Sequence, residues 1–97
     1  MVVKEAIMLP HNEKLIAVLY LIDSSILHVR ETYKDGKLIK YSYHLVKGNK
    51  IMRWDNVPHH KEITTYPYHK HEDEKVKISR EMNIDIVLDE IKKRMKL

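Results

Sequence analysis

No cysteine occurs in the 97 residues. That absence excludes disulfides and thiolate zinc sites, and leaves imidazole and carboxylate as the metal ligands open to the chain. Glutamine is also missing, while one third of the residues are charged and lysine and isoleucine are abundant. This profile accompanies life at high temperature, so a thermophilic source is expected. No apolar run approaches the length of about 20 residues that spans a bilayer. Met1-Val2-Val3-Lys4-Glu5 lacks the charged start and long apolar centre of a signal peptide. The expectation is a cytoplasmic protein without a membrane partner. There is no repeat and no low-complexity tract.

At 43% apolar content the chain can build one small core, burying roughly 60–65% of its unfolded surface. A single domain, 1–97, follows. Eighteen basic side chains against fourteen acidic ones favour polyanionic partners such as nucleic acid. An excess of four charges is nonetheless shared by many proteins that bind no nucleic acid.

Apolar, β-branched segments separated by turn signals predict strands at about 2–9, 15–22, 26–34, 37–46 and 50–55. Asp35-Gly36 is the strongest turn signal, because a type I′ turn needs positive φ at both central positions. A plain two-residue turn there pairs Thr32 with Ile39, Arg30 with Tyr41 and His28 with Tyr43, which mixes polar and apolar groups on both faces. For the next strand two registers stay open: a Gly48-Asn49 turn sets Tyr43 opposite Trp54 and His44 opposite Arg53, whereas a three-residue loop puts Arg53 on the face of Tyr43. Residues 56–78 read as a long loop broken by Pro58 and Pro67, with only Val76-Lys77-Ile78 strand-like. Asn83 then caps a helix over 84–95, whose Ile84, Val87, Leu88, Ile91 and Met95 recur at helical spacing. The fold class is α+β: mainly an antiparallel meander, with a C-terminal helix and a long histidine-rich loop.

The loop concentrates the chemistry. His59, His60, His69 and His71, four of the seven histidines, fall within thirteen residues, just after Arg53 and Asp55. Histidine alone titrates near neutral pH, so such a cluster can move protons in metal-independent RNA cleavage. A base takes the ribose 2′-hydroxyl proton and an acid protonates the leaving oxygen. In that reading the four histidines are the acid and base candidates and Asp55 orients one imidazole. Arg53 and Lys70 hold the phosphate, and Tyr41, Tyr43 or Trp54 stacks a base. Arg30, His44 and Asn56 complete the candidate substrate-binding set. A zinc or manganese site built from His69 and His71, with His59 or His60 and Asp55 or Glu62, is the second chemistry, but no cofactor is favoured. Against both stands the plainer reading, in which loop histidines are simply solvated and Tyr41, Tyr43 and Trp54 pack in the core.

Arg30-Glu31, Tyr41-Ser42-Tyr43-His44, Arg53-Trp54-Asp55-Asn56 with Pro58-His59-His60, and Pro67 with His69-Lys70-His71 before a helix together resemble the TumE-like toxins of prokaryotic toxin–antitoxin modules. Val57 stands where alanine is expected, and Tyr68 where a further histidine is common. The resemblance implies a toxin paired with a DNA-binding antitoxin, often of winged-helix type, and acting on RNA or translation. A different class of function is a non-catalytic binding module, or a metal-binding protein. In the first, the helix or the edge of the N-terminal hairpin docks on an antitoxin or on a second copy as a homodimer.

Overall fold

A computed structural model describes residues 3–11, 13–58 and 62–95. Its strands are β1 (Val3–His11), β2 (Lys14–Leu21), β3 (Ile26–Lys34), β4 (Lys37–Lys47), β5 (Lys50–Asp55), β6 (His69–Glu72) and β7 (Lys75–Ile78), followed by α1 (Ile84–Met95). They form one seven-stranded sheet in sequence order, each strand antiparallel to the next. The α+β class and the meander therefore stand. Among the described residues no helix is long and apolar enough to cross a membrane.

The strands depart from the expected ones in two places. The stretch 56–78 contains β6 and β7. They are joined at Asp73 and Glu74, which both take positive φ (48° and 69°) without a glycine to announce the turn. The second departure is in the β3–β4 hairpin. Asp35 and Gly36 make the expected tight turn, with φ of 52° and 77° and Lys34 opposite Lys37. Ile39 then bulges out of β4, so that Thr32 faces Lys40, Glu31 faces Tyr41 and Val29 faces Tyr43. The pairings of Thr32 with Ile39, Arg30 with Tyr41 and His28 with Tyr43 are each one residue out. Asn56 bridges the bulge from the neighbouring strand: its Oδ1 accepts the Tyr41 N–H at 2.9 Å and its Nδ2 donates to the Ile39 carbonyl at 3.1 Å.

The bulge sorts the faces. A one-residue slip exchanges every side chain between them, and this slip gathers Ala17, Leu19, Leu27, Val29, Tyr41, Tyr43, Met52 and Trp54 on one side, all buried. Lys47 faces Lys50 across Gly48-Asn49, so the open choice at β5 resolves to the two-residue turn, with Tyr43 opposite Trp54 and His44 opposite Arg53. The helix closes this face with Val87 and Ile91, and Met82 in the preceding segment joins the same core. Asn83 caps the helix as expected: its Oδ1 accepts the Ile86 N–H at 2.9 Å. Lys70 reaches Glu90 at 3.8 Å and Glu72 reaches Arg94 at 3.4 Å, fastening β6 to the helix.

Among the described residues, Glu31 is the one carboxylate buried on the helix side of the sheet. Its oxygens accept the Tyr43 hydroxyl at 2.6 Å and the Tyr33 hydroxyl at 3.1 Å. Burial, and then the Glu31 carboxylate, push the Tyr43 phenol far up. Burial pushes Tyr41 up to about 12, and its hydroxyl accepts the Met82 N–H at 3.2 Å. These phenols are raised above their unfolded value of 10.0, so their contribution to stability is complete below pH 10 and declines as pH rises toward 12. An absorbance titration should find Tyr41 and Tyr43 silent where exposed tyrosines ionise, and alkaline unfolding should release both together.

Candidate functional site

With the helix on one face, the polar residues of the central strands line up on the other. Cross-strand pairing makes two adjacent rows there. One runs His28, His44, Arg53, His71 over β3 to β6; the next runs Arg30, Ser42, Asp55, His69 over the same strands. Directly opposed side chains share a face, and neighbouring strands lie about 4.8 Å apart, so the first row is a continuous strip of imidazole and guanidinium and the second sets guanidinium, hydroxyl, carboxylate and imidazole side by side.

Asp55 is the hub. It is buried, yet its Oδ1 lies 2.7 Å from His69 Nε2 and accepts the Val57 N–H at 3.2 Å. Its Oδ2 lies 3.0 Å from Arg53 Nε and 3.8 Å from His71 Nε2. His69 is equally buried, and its Nδ1 faces the Pro67 carbonyl at 3.0 Å. A carbonyl can only accept, so Nδ1 carries the hydrogen there and Nε2 is turned to the carboxylate. The two ring nitrogens thus fix His69 between the returning loop and Asp55, while the His71 ring meets the His69 ring edge to face at 4.9 Å. The side chains of Arg53 and His71 remain 39% and 23% exposed, so both can meet a ligand, which the Asp55–His69 pair beneath them cannot. His44 sits across from Arg53, and its ring centroid is 6.1 Å from that of His28. Burial, then the charge of Arg53 and then that of His28, hold the His44 imidazole below its ordinary pKa. It therefore stays neutral, a proton acceptor, at neutral pH.

The family model described as Toxin TumE matches residues 2–95. The chain belongs to the TumE toxin family. As such it is a toxin of a toxin–antitoxin system, a role that implies an antitoxin partner. No curated protein and no solved structure matches it.

Within this TumE-family toxin the structure brings together Arg53, Asp55, His69, His71 and His44, with Arg30 alongside. It removes others from the roles the sequence suggested. Tyr41, Tyr43 and Trp54 are at most 2% exposed on the helix side, so none offers a ring face to a base. Asn56 spends its amide on the β4 bulge. Lys70 alternates with His69 and His71 and so points to the helix, toward Glu90, rather than to the phosphate position. His59 and His60 lie outside the described residues. His28 was missed, because the unbulged hairpin sets it opposite Tyr43 instead of His44.

Asp55, His69 and His71 bring three ligand atoms within 4.8 Å of one another, a group that could hold a zinc or manganese ion. Such an ion would compete with the Arg53 guanidinium, which already neutralises the Asp55 carboxylate at 3.0 Å. His59, the fourth ligand suggested by the sequence, lies outside the described residues.

Proposed function

We propose that this toxin cleaves RNA without a metal, using the His44–Arg53–His71 strip as its acid, base and phosphate-holding groups. The observation that carries the reading is the placement of two accessible imidazoles on either side of an arginine, over a buried Asp55–His69 pair. Two strand spacings put the backbones of His44 and His71 about 10 Å apart, a gap that two inward-leaning imidazoles and one phosphodiester fill. His44, held neutral, takes the ribose 2′-hydroxyl proton. His71, beside Asp55 Oδ2, returns a proton to the leaving 5′-oxygen. The Arg53 guanidinium stabilises the charge that gathers on the phosphorane oxygens. The backbone bond from phosphorus to the 5′-oxygen breaks as that from the 2′-oxygen forms, leaving a 2′,3′-cyclic phosphate and a free 5′-hydroxyl.

The cognate antitoxin, for which the resemblance supports a DNA-binding, winged-helix type, would silence this activity in the cytoplasm, where RNA and translation are found. Incubation of the purified protein with single-stranded RNA in excess chelator tests the chemistry. Cleavage that ends in a cyclic phosphate and stops on 2′-deoxy substitution at the scissile position is the expected result. Cleavage only after zinc or manganese is restored would move the chemistry to the Asp55–His69–His71 group. No cleavage in either condition, from folded protein, would sink the ribonuclease reading.

A further inference from the structure

Beyond the histidine strip, the same open face carries a second basic feature. The bulge at Ile39 places Lys40 opposite Thr32, which in turn faces Lys14 on β2. One row nearer the strip stand Ile16, Arg30 and Ser42. These six residues, with Leu15, Glu31 and Tyr41 of the row between them, line a shallow pocket of about 180 Å³. Lys14, Arg30 and Lys40 are all exposed, and no ion pair among the described residues holds them. Glu31 borders the pocket, but its carboxylate turns to the helix side, where it accepts the Tyr43 and Tyr33 hydroxyls. Three cations and two hydroxyls around a cup of this size are the chemistry of a phosphate receptor.

The pocket lies in line with the proposed reaction centre. Arg30 is two residues from His28 along β3, and the Lys14–Thr32–Lys40 row is two residues further. At about 3.3 Å of rise per residue, the far row lies about 13 Å from the histidine strip, the reach of a short stretch of extended single strand. The aromatic side chains of β4 and β5 are buried, so the path between the two positions offers cations and hydroxyls rather than stacking platforms.

We propose that Lys14, Arg30 and Lys40 form a phosphate subsite that grips the backbone of single-stranded RNA beside the cleavage position. The subsite rests on the RNA reading of the histidine strip and adds to it a substrate class: a single strand, read through its phosphates, and longer than a dinucleotide.

The experiment measures affinity for a short 2′-O-methyl RNA strand, which the proposed chemistry cannot cleave, over a range of salt concentrations. Wild type is compared with Lys14→Gln/Lys40→Gln, which keeps much of each aliphatic stem, and with Lys93→Gln on the exposed helix surface. Circular dichroism and thermal melting establish that each variant is folded. Each lost phosphate contact to a single strand flattens the plot of log affinity against log salt by about 0.7, so the double variant should be shallower by about 1.4. The helix variant should match wild type. An unchanged slope in the double variant, or an equal flattening by Lys93→Gln, would overturn the subsite. So would unaltered RNA binding combined with weakened capture of the cognate antitoxin, which would give the pocket to the protein partner. The probe is uncleavable, so failure of RNA cleavage by wild type would count against the catalytic strip alone.

Discussion

Asp55→Asn is expected to lower the stability of the fold by about 3 kcal/mol, the largest effect of any single polar substitution on the open face. The carboxylate is buried and offsets two partners, His69 at 2.7 Å and Arg53 at 3.0 Å, while its Oδ1 also accepts the Val57 N–H. Removing one member of a buried ionic group leaves the others desolvated and uncompensated, at a cost of about 3–5 kcal/mol. The lower figure applies because Arg53 is 39% exposed to water. For a chain of this length the melting temperature should fall by at least about 10 °C. His69→Gln should also destabilise, and the double variant should cost less than the two singles together, by at least about 1 kcal/mol, because each single loses the same interaction. Chemical denaturation of the four proteins gives the coupling directly. Additive losses would mean that Asp55 and His69 act independently and that the hub is no more than a surface pairing.

The second large effect falls on activity. His44→Ala and His71→Ala should each lower kcat/KM for RNA cleavage by about 10²–10⁴, the usual worth of a positioned acid or base, with little change in melting temperature. The pH profile then separates the two roles. His44 is held below its ordinary value of 6.5 by burial first, then by Arg53 and His28. As the base it must be neutral, so the ascending, acid limb of the rate profile should lie below 6.5, while the need for a protonated His71 gives the profile its descending limb. Arg53→Gln removes one of the causes and should move that acid limb upward toward 6.5, apart from any loss in the rate itself. The same depression links to stability. The unfolded chain protonates His44 at a higher pH than the folded one, so stability should decline as pH falls through the interval just below 6.5. An acid limb that ignores Arg53→Gln would remove His44 from the role of base.

Much of this protein was legible in one dimension, where the cause of structure is local. Asn83 caps its helix because an Asn side chain meets the free N–H three residues on, whatever the rest of the chain does. Asp35-Gly36 turns because both residues tolerate positive φ. The alternation of His69 and His71 about Lys70 follows from the period of two in a strand. The sequence run from Arg53 to His71 also carried the family, since a motif is read from residue order alone.

Tertiary structure decided which residues share a face. Nothing near Ile39 announces a bulge, because its cause is distant in sequence: it lets Tyr41 and Tyr43 join Trp54 under the helix, and Asn56 supplies the missing hydrogen bonds. That one-residue slip brings His28 beside His44, which the Gly48-Asn49 turn sets opposite Arg53, and brings Val29 beside Tyr43 on the face where the rings that the sequence offered as base platforms are buried. Lys70 left the site for the same kind of reason, drawn to Glu90 on a helix twenty residues further along the chain. Residue order alone sets the local turns, the helix and the family. Only the packing of distant strands against one another and against the helix decided which charged and titratable groups stand side by side, since face and register depend on hydrogen bonds and burial between residues far apart in the chain.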